Sequence, residues 1–104
     1  MITTSASAFV LEEGSEQQFN GSSIICEPTY YELRATFGVR LNVLDSSTTN
    51  TIAYGYVEVT KTEVDGETGA GTGETAPWFD ALQDAVKTKL AAITENSGVT
   101  FTIV

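Results

Sequence analysis

From Tyr31 to Val43 every odd position is apolar, and the even positions are Glu32, Arg34, Thr36, Gly38, Arg40 and Asn42. Strict alternation over this length predicts a β-strand with one dry face. Residues 45–50, Asp-Ser-Ser-Thr-Thr-Asn, are turn formers and predict a hairpin loop. Thr51 to Val64 follows, rich in Val, Tyr, Ile and Thr, and predicts the returning strand. The arm, residues 31–64, would run for about 40 Å at the usual rise of a strand. Its second strand is apolar on both sides, with Ile52, Tyr54 and Tyr56 on one and Ala53, Val57 and Val59 on the other. If Val43 opposes Ala53, the odd residues of both strands form one core face. Tyr54 and Tyr56 then share the other face with Arg34, Arg40 and Asn42. A shift of one residue would reverse the second strand's contribution.

Further on the period changes. Phe79, Leu82, Val86, Leu90 and Ile93 recur at spacings of three and four, predicting one amphipathic helix over about 76–95. Thr75 is placed to cap it, Pro77 to sit in its first turn, and Asn96-Ser97-Gly98 to end it. Residues 99–104 predict a C-terminal strand. Residues 1–27 carry a weaker pattern: a short strand at 8–11, a turn at 12–14 and a hairpin signal at Asn20-Gly21. The expected architecture is α+β, an antiparallel sheet built on the long hairpin with one helix across one face. An N-terminal arm or hairpin (1–27) precedes a single α+β domain (28–104).

Charge narrows the function. The chain of 104 residues carries 14 acids, 5 bases and no histidine, for a net charge of −9. Residues 1–27 hold Glu12, Glu13, Glu16 and Glu27 with no base, and residues 65–80 hold Asp65, Glu67, Glu74 and Asp80 with none. Such a surface repels phosphate backbones, so direct nucleic-acid binding is not expected. Without histidine there is no Ser-His-Asp triad, no Cys-His pair and no zinc site with nitrogen ligands. One cysteine, Cys26, excludes an internal disulfide and a CxxC redox pair, and its neighbour Glu27 does not favour a thiolate. No stretch approaches the length of a membrane span, and the first eight residues lack the basic and apolar regions of a signal peptide.

The remaining candidates are few. Residues 65–76, DGETGAGTGETA, lack the cation of a phosphate-binding loop and the acid spacing of an EF-hand, although Asp65, Glu67 and Glu74 could approach calcium. They read as a solvated loop. Arg40 and Glu58 suit a cross-strand salt bridge, with an anion site on Arg34 and Arg40 as the alternative. Trp78, the single tryptophan, reads as a partly buried anchor or an interface residue. No constellation of catalytic groups emerges, so neither an enzyme nor a cofactor or metal site is expected. A hairpin apolar on two faces, a single helix to cover one of them and 24 Ser or Thr residues suggest a self-assembling subunit. The expectation is a structural protein of a viral or phage particle, as capsid coat, decoration or tail component. It would be made in the host cytoplasm, located in the virion, and bound to copies of itself and other virion proteins. The expected contacts are Phe9, Val10 and Leu11 of the arm, with Arg34, Arg40, Tyr54, Tyr56 and Trp78. An acidic DNA-mimic inhibitor is the alternative, and a carboxylate-only hydrolase a more remote one.

Overall fold

The computed structural model describes residues 1–5, 8–16, 18–45, 47, 49–65 and 75–104, with residues 75–78 described by their backbone only. The strands are β1 (Ile2–Thr4), β2 (Ser23–Tyr31), β3 (Thr36–Leu44), β4 (Thr51–Thr60) and β5 (Phe101–Ile103). The helices are α1 (Lys61–Asp65) and α2 (Thr75–Ala91), and 3-10 turns cover Glu32–Arg34 and Thr94–Asn96. All strands are antiparallel, in the order β4-β3-β2-β1-β5. The fold is α+β, as the two periods in the sequence require.

Val43 does lie opposite Ala53, and the register continues through Leu41/Gly55, Val39/Val57 and Phe37/Val59. One face of the sheet is therefore apolar, and Ile24, Cys26, Phe37, Val39, Leu41, Val43 and Val59 are all buried on it. Ala81, Leu82, Ala85, Val86 and Leu90 of α2 close over this face. Their spacing puts them on one side of a 3.6-residue helix.

The strand expected at 8–11 is only a bridge at Phe9, the C-terminal strand expected over 99–104 covers Phe101–Ile103, and three further boundaries differ from the sequence expectation. The run beginning at Tyr31 is not one strand. Glu32–Arg34 form a 3-10 turn, Ala35 adopts a left-handed conformation (φ 46°), and Leu33 is fully exposed. The alternation through this turn is coincidental, because no glycine or asparagine marks the left-handed position. The second strand stops at Thr60, not Val64. The Glu63 N–H donates to Thr60 Oγ1 (3.1 Å) while the Thr60 N–H donates to Glu63 Oε1 (2.8 Å), a capping box that starts α1. The helix expected over 76–95 ends at Ala91 and is followed by the Thr94–Asn96 turn. The role given to Thr75 as a cap, and the calcium alternative at Glu67 and Glu74, fall outside the described side chains.

The N-terminal segment is part of the sheet and its core. β1 lies between β2 and β5, and a division at residue 27/28 falls within β2. Phe9 stacks edge-on against Phe101 with ring centroids 6.0 Å apart, and bridges to Phe19 through the backbone. Leu11 fills the space beside Gly55, where any Cβ would collide with its Cδ1. Asn96, itself buried, fixes this segment to the end of α2: Oδ1 accepts from the Val10 N–H (2.8 Å), and Nδ2 donates to the carbonyls of Val10 (2.9 Å) and Leu90 (3.0 Å).

Candidate functional site: the open face of the sheet

The alternation that turns the odd residues of β3 and β4 towards the core places the even ones on the other side, where Arg40 is exposed and Asn42 is buried. Arg40 and Asn42 of β3 lie opposite Tyr56 and Tyr54 of β4, with Ile25 and Glu27 of β2 beyond them. Among the described residues no helix crosses this side, and the tyrosines stay open, Tyr54 at 59% and Tyr56 at 51%. Ile25, Tyr31 and Ile52 are also exposed on the same three strands.

Contacts between neighbouring strands order these side chains. The Arg40 guanidinium lies over the Tyr54 ring, 4.2 Å from its centroid, and that of Arg34 lies over Tyr31 at 4.9 Å. Such cation–π contacts hold a flat cation against a flat ring. Arg34 Nη2 also pairs with Glu58 Oε2 at 3.4 Å, and the Tyr56 hydroxyl donates to the same oxygen at 3.0 Å. That bond to a carboxylate holds the Tyr56 phenol above its ordinary pKa. Gly38 makes the arrangement fit, since a Cβ there would collide with the Tyr56 hydroxyl and, at 2.8 Å, the Tyr31 ring. Both tyrosines lean back across β3.

The expected contact residues divide into three groups. Arg34, Arg40, Tyr54 and Tyr56 come together on this face. Phe9, Val10 and Leu11 do not join them, because all three are buried in the chain's own core and present no surface to a partner. Trp78 lies in α2, and its side chain is outside the described set. The expected Arg40–Glu58 bridge is replaced by Arg34–Glu58. In the observed register Glu58 faces Gly38, and the Arg40 guanidinium is drawn towards Tyr54. Exposed Leu33 and Tyr30, which packs on Phe37 with centroids 4.6 Å apart, extend the surface at the β2–β3 turn. Alternation counted from Tyr31 puts Leu33 on the core face, and the 3-10 turn at Glu32–Arg34 turns it out into solvent.

The groups gathered here suit contact more than proton transfer. Of the carboxylates on this face, Glu58 is already engaged by Arg34 and Tyr56, and Glu27 lies opposite Arg40 in β2. A small cavity of about 120 Å³ beside the face is lined by Leu11, Glu12, Ser15, Phe19, Tyr54 and Gly55. The Cys26 thiol lies on the opposite, covered face, where burial pushes its pKa up to about 12. Among the described residues no three acids or cysteines converge in a way that could hold a metal ion, and no helix is long and apolar enough to cross a membrane. No family model, curated protein or solved structure matches the chain.

Proposed function

We propose that the chain is a self-associating structural subunit of the kind that builds a viral or phage particle, with the open sheet face as its contact surface. The observation that carries this reading is the bare face itself, on which Ile25, Tyr31, Ile52, Tyr54 and Tyr56 remain exposed beside Arg34 and Arg40. Aromatic residues and arginine are the side chains most enriched where proteins meet, and a tyrosine ring gives up little entropy on burial. The particle context rests on the small acidic chain, whose sequence holds no histidine. A net charge of −9 suits a subunit that stays clear of the genome. A DNA mimic is less well supported, since Glu58, Glu63, Asp65 and Asp84 are all engaged in ion pairs.

Burying two tyrosines between chains contributes about 2–4 kcal/mol, a substantial share of a typical hot spot. Changing Tyr54 and Tyr56 together to Ser therefore weakens association while circular dichroism still reports the sheet and helix. Sedimentation velocity reads the association, and negative-stain electron microscopy of the wild-type chain shows rings, tubes or shells if the particle reading holds. A chain that stays monomeric and captures a basic nuclease instead would favour the mimic.

A further inference from the structure

The order of the sheet leaves β4 as an edge strand of 10 residues, whereas β5 at the other edge has three. A long unpaired edge is a template for another strand, and proteins usually blunt one with a proline, a lysine or a covering segment. Between Thr51 and Thr60 there is neither proline nor lysine.

The groups that this edge presents follow from one hydrogen bond. The Lys61 N–H donates to the Ala35 carbonyl at 2.8 Å, and Thr36 lies opposite Thr60. That bond makes Thr36/Thr60 a pair without mutual hydrogen bonds and Phe37/Val59 the next bonded pair. The register is unbroken from there to Ala53, so Gly55, Val57 and Val59 spend their N–H and C=O groups on β3. Those of Tyr54, Tyr56 and Glu58 point out of the sheet. The Thr60 N–H is already taken by Glu63. The segment at Leu11 and Glu12 flanks the edge near Gly55, but among the described residues no hydrogen bond from it reaches the outward groups.

We propose that β4 pairs antiparallel with β4 of a second copy about a two-fold axis at Tyr56, placing Tyr54 opposite the partner's Glu58. This rests on the self-association proposed above and says how it is achieved. In an antiparallel ladder opposite residues share a face, so even positions must meet even positions. Among the registers allowed, the one centred on Tyr56 matches all three outward residues at once: Tyr56 with the partner's Tyr56, and Tyr54 with the partner's Glu58 twice. Each bonded pair exchanges two hydrogen bonds, giving six in all. Centring on Gly55 instead would leave Glu58 facing Ile52 across a β-bulge, the register shift between Val43 and Leu44.

Charge supports the same register. Of the five bases, Arg34, Lys61, Lys87 and Lys89 each have an ion pair, whereas Arg40 has none among the described residues. Its guanidinium rests on Tyr54, the position that faces the partner's Glu58. Pairing therefore adds the partner's Glu58 to Glu27, which lies opposite Arg40 in β2, and joins two five-stranded sheets into one of ten. The Tyr56 ring leans over Gly38, which leaves its own backbone clear at the edge.

Amide hydrogen exchange of the full chain, followed by NMR across a concentration series with sedimentation velocity, tests this pairing. At low concentration the amides of Tyr54, Tyr56 and Glu58 exchange fast while those of Gly55, Val57 and Val59 are protected. As dimer forms, the first three slow by at least about tenfold. Arg40→Gln raises the dimer dissociation constant roughly tenfold, because a charge-assisted contact is lost. Tyr54→Pro removes one outward N–H without a β3 bond, and it abolishes pairing where Tyr54→Phe preserves it. A dimer whose three amides exchange as in the monomer overturns the edge pairing and leaves face-to-face association standing. A chain that never associates overturns both. Should Tyr54→Pro fail to fold, the wild-type exchange pattern still decides.

Discussion

The two faces of this sheet are built from the same three strands and differ in what lies over them. Leu41 and Arg40 are neighbours in β3, yet Leu41 is fully enclosed by α2 and the N-terminal segment while Arg40 lies in the open. The closed face is held by burial and contributes the stability of the monomer. The open face is ordered by cation–π contacts and a shared carboxylate, interactions worth little where solvent reaches them. A sheet with one finished face and one unfinished face has separate positions for folding and for association. Substitutions should therefore sort by side of the sheet and not by position along the chain.

The largest effect should come from the closed face. Leu41→Ala costs about 2–5 kcal/mol by urea denaturation, since the cavity left behind cannot fully collapse. Ile52→Ser on the open face changes the monomer's stability by about 0.5 kcal/mol or less. Equal losses at the two positions would end the comparison. Asn96→Ala comes next, at about 3 kcal/mol, because it strands a buried N–H and two carbonyls that hold the Val10 segment to α2. A loss below 1 kcal/mol would mean that this segment is secured by its apolar side chains alone.

Smaller still is the contribution of the β3–β4 loop. Asp45 accepts hydrogen bonds from the Ser47 hydroxyl (2.8 Å), the Thr49 N–H (3.1 Å) and the Asn50 side chain (3.1 Å). These bonds, that from Ser47 foremost, lower its pKa from 3.8 to about 2. A carboxylate whose folded pKa is depressed stabilises the fold above its unfolded value and ceases to do so as pH falls through the folded one. Asp45→Asn should accordingly lower the urea midpoint at neutral pH, with the difference from wild type shrinking between about pH 4 and pH 2. A difference constant with pH would assign the effect to the loop's shape and not to the charge.

How far the sequence revealed this arrangement also depends on the face. Alternation in 36–43 and 52–59 fixed which residues share a side, and the Val43/Ala53 register brought Arg40, Tyr54 and Tyr56 together as expected. The helix stripe was equally plain. The β2–β3 turn was hidden because its residues continue the alternation and Ala35 carries no mark of its left-handed backbone. The start of α1 was visible in Thr60-Lys61-Thr62-Glu63, a capping-box pattern overshadowed by the β-branched run before it. β2 was harder to extend past Pro28, which is tolerated because β1 pairs only as far as Ile2, opposite Ile24, and leaves β2 with one neighbour beyond that point. The burial of Phe9, Val10 and Leu11 could not be read locally. It depends on Asn96 and Phe101, more than 80 residues away along the chain.

The mass of the wild-type chain in solution, measured by light scattering behind a sizing column from low micromolar to millimolar concentration, tests the central claim most directly. Self-association through the open side of β3 and β4 predicts a shift from 11.1 kDa towards twice that mass or a higher multiple as concentration rises. A mass that stays at 11.1 kDa over the whole range would contradict it.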